Sequence, residues 1–116
     1  MARILYVEDH PPAQYLMDAI ISEMTAHELL LASSGAEAEQ LAESFPPDLY
    51  ILDLDLPDTD GLRLAETLRA AHPAPVILVS AYAEAVDEAA LDDMHYLAKP
   101  LEPDHVADTI RRALAG

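Results

Sequence analysis

Short apolar runs alternate along this chain with segments of helical periodicity. The apolar runs are four or five residues long, rich in aliphatic side chains and bounded by turn-forming or charged residues, which is typical of buried strands. They cover Arg3 to Val7, Glu28 to Ala32, Leu49 to Leu52, Val76 to Val79 and His95 to Ala98. The pattern therefore predicts five strands.

The segments between these runs carry apolar side chains every three or four residues, which gives a helix one apolar face. The members are Ala13, Leu16, Met17, Ile20 and Met24; Ala38, Leu41, Ala42 and Phe45; Leu64, Ala65 and Leu68; and Val106, Ile110, Ala113 and Leu114. Another helix is predicted before the fifth strand, but its apolar face is mostly Val86, Ala89 and Ala90. It buries little apolar area, so we expect it to be the loosest element.

Strands that alternate with helices are typical of right-handed βαβ crossovers, a parallel sheet and helices on both of its faces. The length of 116 residues is suited to a single domain, residues 1–116, with one core. In such a sheet, ligands bind beyond the carboxyl ends of the strands. The residues that follow each strand are therefore the candidates for chemistry.

The composition excludes several classes of function. The chain has 22 acidic residues against six basic ones and a formal net charge of −16, so direct binding to nucleic acid or anionic lipid is not expected. No apolar run approaches the roughly 20 residues of a membrane helix, and there is no signal-peptide pattern, so we expect a cytoplasmic protein. The absence of cysteine excludes disulfides and thiolate chemistry.

Charged and hydroxyl side chains follow the predicted strands at four places. Glu8 and Asp9 follow the first strand, Asp53 the third and Ser80 the fourth, while Lys99 follows the fifth. Each acid or hydroxyl alone could equally be a helix cap or a turn residue. Lys99 is harder to explain in that way, since it is the only lysine of the chain and precedes a proline.

Carboxylates held close together repel one another unless a pKa rises or a cation is shared. Mg²⁺ prefers carboxylate, water and phosphate oxygens, and the five histidines show no zinc-ligand spacing. An aspartate beside Mg²⁺, with an ammonium and a hydroxyl opposite, suits phosphoryl transfer onto the carboxylate. The strand ends therefore predict a magnesium-dependent phosphoryl acceptor.

These residues, in this order, resemble the receiver domain of two-component response regulators, the CheY-like family. The likeness extends over the whole chain through LYVEDH, ASSGAEA, DLYILDLDLPDTDGL, APVILVSAY and YLAKPL. The resemblance implies an α/β, doubly wound, flavodoxin-like (βα)5 fold. Its five-stranded parallel sheet would have the order 2-1-3-4-5.

The resemblance also implies roles for individual residues. Asp53 would be the phosphoacceptor, four residues before Pro57. Asp9 would be a direct Mg²⁺ ligand together with Asp53 and the backbone carbonyl of Asp55, and Glu8 would act mainly through metal-bound water. Lys99 would pair with the acceptor and later with its phosphate. Ser80 would be the switch hydroxyl, Tyr96 the switch aromatic, and Pro100 would commonly follow a cis peptide bond.

As partners, the resemblance implies a sensor histidine kinase or a histidine phosphotransfer protein, or a small acyl phosphate as donor. The donor would dock over Pro11, Pro12 and Tyr15, beside the loop after Lys99. Output would pass to an effector protein or a fused output domain through the fourth helix, fifth strand and fifth helix. The domain would catalyse only phosphorylation and dephosphorylation of its own Asp53, and would not be an enzyme in the usual sense.

Some positions depart from the family pattern. Met94 and His95 stand where relatives have a small Gly-Ala pair, which would alter how Tyr96 moves. The predicted fourth helix is acidic and has no basic residue, which is unfavourable for symmetric dimers through the fourth and fifth helices.

Three other readings stay open. A haloacid-dehalogenase-like phosphatase would use Asp53 and Asp55 as nucleophile and general acid, but Pro57 stands where that motif requires threonine or a similar residue. A receiver shape that no longer accepts phosphate would act only as an interaction domain. An EF-hand is disfavoured, since aligning Gly61 with its loop glycine places Leu56 and Thr67 at ligand positions.

Overall fold

The computed structural model describes residues 1–81 and 94–115. The helix predicted from Val86, Ala89 and Ala90 lies outside these residues. The strands are β1 Arg3–Val7, β2 Glu28–Ala32, β3 Leu49–Asp53, β4 Val76–Ser80 and β5 His95–Ala98. The helices are α1 Pro11–Met24, α2 Gly35–Ser44, α3 Gly61–Ala71 and α4 Pro103–Ala115.

The five strands form one parallel sheet in the order β2-β1-β3-β4-β5, which confirms the order that the resemblance implied. The chain crosses from β2 past β1 to reach β3, so the strand order reverses between β1 and β3. The register places Val7 beside Leu52 and Ser80 beside Ala98. The carboxyl ends of β1, β3, β4 and β5 therefore meet at one edge.

Alternate side chains of the sheet enter two hydrophobic clusters, one on each face, because successive strand residues point to opposite sides. The first cluster packs Ile4 and Tyr6 under α1 and α4, and the second packs Leu5 and Val7 under α2 and α3. The helices of the first cluster contribute Met17, Ile20, Ile21, Val106, Ile110 and Ala113, whereas those of the second contribute mainly Ala38, Ala42, Leu64, Ala65 and Leu68. The predicted apolar helix faces thus cover both sides of the sheet.

Local signals explain where three of the helices begin. Prolines occupy the first positions of α1, where a missing N–H costs no intrahelical hydrogen bond. At the start of α2, the Ser34 side chain accepts the Glu37 N–H, and at the start of α3 the Asp60 side chain accepts the Arg63 N–H. No helix within the described parts of the chain is long and apolar enough to cross a membrane.

Two strand boundaries differ from the prediction. Asp53 and Ser80 were expected just beyond β3 and β4, but each is the last residue of its strand. A polar side chain does not end a strand, because the ladder is made by backbone groups, and Leu54 N–H still donates to the Val79 carbonyl beyond Asp53. The hydrogen-bonded backbone of the sheet therefore fixes where the Asp53 and Ser80 side chains begin.

Candidate functional site

Four of the predicted site residues converge at the carboxyl edge of the sheet. Glu8 follows β1 directly, Asp53 ends β3, Ser80 ends β4 and Lys99 follows β5. Glu8, Asp53 and Ser80 are almost fully buried, with 1%, 3% and 1% of their surface exposed. Charged side chains are rarely buried this deeply unless they are paired.

Lys99 supplies the pairing. Its Nζ lies 2.7 Å from Asp53 Oδ2 and 2.7 Å from Glu8 Oε1, while 27% of the Lys99 side chain remains exposed. The peptide bond between Lys99 and Pro100 is cis, and Lys99 N–H donates to the Ser80 carbonyl. The ammonium group therefore joins the ends of β1, β3 and β5.

Two buried carboxylates share this single ammonium, which leaves the site short of positive charge. Burial raises the pKa of Glu8, the Asp53 carboxylate raises it further, and the hydrogen bond from Lys99 partly counteracts both. For Lys99, burial alone lowers the pKa, but the hydrogen bonds to Asp53 and Glu8 outweigh it and raise the pKa above its ordinary value. The pKa of Glu8 is thus raised mainly by burial, and the pKa of Lys99 is raised by its two carboxylate partners.

The loop after β3 orients the Asp53 carboxylate. Asp55 N–H donates to Asp53 Oδ1 over 2.8 Å, and Gly61 N–H donates to the Leu54 carbonyl. A Cβ at Gly61 would lie 2.5 Å from the Asp53 carbonyl oxygen, well inside van der Waals contact. The loop can therefore close tightly under Asp53 only because residue 61 lacks a side chain.

The Asp9 and Asp55 side chains are exposed, unlike those of Glu8 and Asp53. Within residues 1–81 and 94–115, no group of three or more acidic or histidine side chains lies close enough together to hold a metal ion. Glu8 and Asp53 share the Lys99 ammonium, and the magnesium site expected from Asp9, Asp53 and the Asp55 carbonyl stays a prediction. The set still fits Mg²⁺ chemically, since every side-chain donor is a carboxylate oxygen and the buried pair carries excess negative charge.

Tyr96 lies within β5, and its hydroxyl reaches toward Ser80 at the end of β4. The Tyr96 hydroxyl is 3.5 Å from the Ser80 backbone carbonyl, at the limit of a hydrogen bond, and the ring packs against the second hydrophobic cluster. Tyr96 is half-buried, whereas Ser80 is almost fully buried. The Tyr96 ring therefore lies at the border between the candidate site and the second hydrophobic cluster.

Sequence reasoning missed two residues that contact this region. The Tyr6 hydroxyl donates to Glu8 Oε1 over 3.2 Å, and the Asp58 carboxylate accepts the N–H groups of Gly35 and Ala36 at the start of α2. Tyr6 could have been found, because residues two apart on a strand share a face. The contact made by Asp58 joins segments 22 and 23 residues apart, and no local pattern predicts it.

A groove borders the site where α1 meets the loop after β5. It has a volume of about 280 Å³ and is lined by His10, Pro12, Ala13, Leu16, Lys99, Pro100 and Leu101. Beside it, 77% of the Tyr15 surface and 38% of the Leu16 surface are exposed. An apolar surface therefore lies next to the buried acids.

Comparison with known proteins identifies the class. Residues 4–111 match the family model described as the response regulator receiver domain. The transcriptional regulatory protein BaeR of Escherichia coli O6:H1 is 36% identical over 97% of this chain, which corresponds to 48% of BaeR. The signal transduction histidine-protein kinase BarA of Escherichia coli K12 is 32% identical over 97% of this chain, but over only 13% of its own length.

Solved structures agree with this match. The response regulator protein TrrA from Thermotoga maritima, determined in complex with Mg²⁺-BeF, has a TM-score of 0.87 at 29% identity, over 98% of this chain and 100% of TrrA. The receiver domain of the hybrid histidine kinase CckA has a TM-score of 0.80 at 30% identity, over 97% of this chain and 98% of CckA's solved chain.

This chain belongs to the response regulator receiver domain family and has its CheY-like fold. The first curated relatives are longer proteins, of which this chain spans about half in BaeR and about an eighth in BarA.

Proposed function

We propose that residues 1–116 form one receiver domain that accepts a phosphoryl group on Asp53 from a phosphohistidine donor, in a reaction that requires Mg²⁺. The observation that carries this proposal is the 2.7 Å contact between Lys99 Nζ and a 3% exposed Asp53 carboxylate. A purely structural role for Asp53 would not require a second buried acid beside it, because burying two carboxylates together is costly.

In the transfer, an oxygen of Asp53 forms a bond to phosphorus while the phosphorus–nitrogen bond of the donor breaks, and the electron pair leaves with the donor imidazole. Lys99 lies where it can neutralise oxygens of Asp53 that would otherwise repel the incoming phosphoryl group. The Asp55 N–H holds Asp53 Oδ1 and so orients the carboxylate. The role of these residues is therefore positioning and charge neutralisation.

Mg²⁺ would be held by the carboxylates of Asp9 and Asp53 and by the backbone carbonyl of Asp55, with Glu8 contributing through metal-bound water. When bound, it would supply further positive charge and neutralise charge that develops on the phosphoryl oxygens. The TrrA structure in complex with Mg²⁺-BeF supports this assignment at the level of a related protein.

For the donor, the apolar groove between α1 and the loop after β5 is the best supported docking surface. It contains Pro12 and Leu16 and opens beside Lys99, whose side chain is 27% exposed. A histidine kinase or a histidine phosphotransfer protein seated there would bring its phosphohistidine to the carboxyl edge. Among the relatives, BarA is itself named a histidine-protein kinase, which agrees with a partner of this class.

After phosphorylation, Ser80 and Lys99 would turn toward the added phosphate oxygens, because the group brings new negative charge to the strand ends. Tyr96 already contacts the Ser80 carbonyl, so movement at Ser80 would be transmitted to the surface of β5 and α4 and to the helix predicted between β4 and β5. An effector protein or a fused output domain would recognise that surface.

Intact mass spectrometry tests the chemistry. Incubation with acetyl phosphate and Mg²⁺ should add one phosphoryl group to the wild-type protein and none to Asp53→Asn. Asp104→Asn, which changes an exposed acid in the first turn of α4, is the matched control and should be labelled normally. Labelling of Asp53→Asn at another residue would overturn the assignment, and repeated turnover of a generic phosphate ester would favour a phosphatase.

A further inference from the structure

Tyr6 is a buried residue whose polar atom faces the acidic site. It lies in the first hydrophobic cluster with 0% of its surface exposed, two residues before Glu8 on the same face of the sheet. Its hydroxyl is 3.2 Å from Glu8 Oε1, the oxygen that also lies 2.7 Å from Lys99 Nζ. Glu8 Oε1 therefore accepts two hydrogen bonds, one from a neutral and one from a charged donor.

The hydroxyl of Tyr6 is held more firmly than the carboxylate that it contacts. The ring is enclosed by the core between the sheet, α1 and α4, whereas the Glu8 side chain has three rotatable bonds. The hydroxyl is the donor of this hydrogen bond, because the carboxylate oxygen of Glu8 can only accept. The core thus fixes the donor, and the donor limits where the carboxylate can lie.

We infer that Tyr6 is a positioning residue of this site, whose hydroxyl holds the Glu8 carboxylate against the Lys99 ammonium. A phenylalanine would fill the same space in the core, so the hydroxyl contributes the contact with Glu8 beyond what packing requires. Where the inference concerns Mg²⁺, it rests on the proposed function. A cation or its bound water must compete with Tyr6 and Lys99 for Glu8, so the hydroxyl weakens Mg²⁺ binding.

The only lysine of the chain provides a direct readout. In protein labelled with ¹⁵N at lysine Nζ, the single ammonium signal reports the hydrogen bonds of Lys99. Without Mg²⁺, Tyr6→Phe should speed exchange of the ammonium protons with water on the order of three- to tenfold, because Glu8 loses one of its donors. An unchanged signal in a folded Tyr6→Phe protein would overturn the inference.

Tyr50→Phe is the matched control. Tyr50 is also 0% exposed, but it lies in the second cluster and donates to the His72 carbonyl over 2.7 Å, at the opposite end of the sheet. Its loss should lower stability without changing the Lys99 signal. If Tyr50→Phe changed that signal as much as Tyr6→Phe, a general effect on the core would replace the role assigned to Tyr6.

Calorimetric titration with MgCl2 completes the test. Tyr6→Phe should bind Mg²⁺ with a Kd about three- to tenfold lower than wild type, whereas Tyr50→Phe should match wild type. A Kd that is equal or higher in Tyr6→Phe would contradict the competition between the hydroxyl and the cation. A wild-type protein that neither binds Mg²⁺ nor takes up phosphate would end the proposed function, and the Lys99 signal would still decide the role of Tyr6.

Discussion

The two ends of the sheet differ in how far their charged side chains are exposed to solvent. At the amino end, Arg3 lies 3.6 Å from Glu28, its guanidinium stacks 5.6 Å from the Phe45 ring centre, and these charged side chains are at least a third exposed. At the carboxyl end, the acids Glu8 and Asp53 are almost fully buried and share one ammonium. Exposed, paired charge adds little to stability, whereas buried, unbalanced charge is costly and points to a function.

Tyr6 and Tyr50, which are both buried, show the same contrast. Tyr50 donates to the backbone carbonyl of His72, a neutral acceptor, and burial raises its pKa to about 12. Tyr6 donates to a buried carboxylate. The tyrosine at the amino end therefore meets a neutral acceptor, whereas the tyrosine at the carboxyl end meets a carboxylate that shares one ammonium group with a second buried acid. A set of substitutions can test whether this difference is real.

Removing the ammonium group should have the largest effect. Lys99→Ala would leave Glu8 and Asp53 buried without a cation, so we expect the free energy of unfolding to fall by about 2–4 kcal/mol. Arg3→Ala, at the amino end, should cost about 1 kcal/mol or less. Urea unfolding at pH 7 measures both. Equal losses would mean that the two ends do not differ in the way proposed.

Lys99→Ala should also uncouple phosphate from the surface change. In that variant, any phosphorylated protein should show wild-type, unphosphorylated amide exchange at β5 and α4. A full exchange response in Lys99→Ala would count against its role in the switch.

The next largest loss of stability is expected at Gly61, where the neighbouring backbone leaves no room for a side chain. Gly61→Ala places a Cβ 2.5 Å from the Asp53 carbonyl oxygen, so the loop must shift and stability should fall by about 1–3 kcal/mol. Gly35→Ala is the control, since its Cβ meets a Thr59 methyl group at 2.7 Å, and that side chain can move more readily than backbone. Thermal unfolding that ranks Gly35→Ala as the more damaging change would contradict this account.

The raised pKa of Glu8 predicts a dependence of stability on pH. An acid whose pKa is higher in the folded than in the unfolded protein binds its proton more tightly in the folded state. Its contribution to stability is therefore present at low pH and is lost as pH rises from the ordinary value of 4.5 through the raised one. Glu8→Gln should flatten that part of the curve in denaturant titrations without Mg²⁺.

The smallest effect is expected at Asp58, which is exposed. Hydrogen bonds from the Gly35 and Ala36 N–H groups lower the pKa of Asp58, so its contribution is present near neutral pH and is lost as pH falls through that lowered value. Asp58→Asn should speed amide exchange at Gly35 and Ala36 with little change in overall stability. Exchange that matches wild type at both amides would show that the contact does not hold α2 to the loop.

The chain could be read correctly for most of its fold because its signals are local. Apolar runs of strand length and helical spacing each act within a few residues, and the strand order followed from the family resemblance. The errors fell at strand ends. There, Asp53 and Ser80 are polar but belong to the ladder, because sheet hydrogen bonds are made by backbone whatever the side chain.

The candidate site was predictable in membership but not in arrangement. Residues at the ends of parallel strands must share an edge, so Glu8, Asp53, Ser80 and Lys99 could be grouped from the sequence alone. Which acid pairs with the ammonium depends on side-chain reach and burial. Those are decided by neighbours far away in the chain.

The sequence by itself determined the succession of strands and helices, the residues at the carboxyl edge and the membership of the receiver family. Only the tertiary structure decided that Lys99 binds Glu8 as well as Asp53, that Asp9 and Asp55 stay exposed, and that Tyr6 contacts the site. The physical reason is range. Periodicity and capping are properties of neighbouring residues, whereas a hydrogen bond between side chains 46 residues apart exists only after the core has packed.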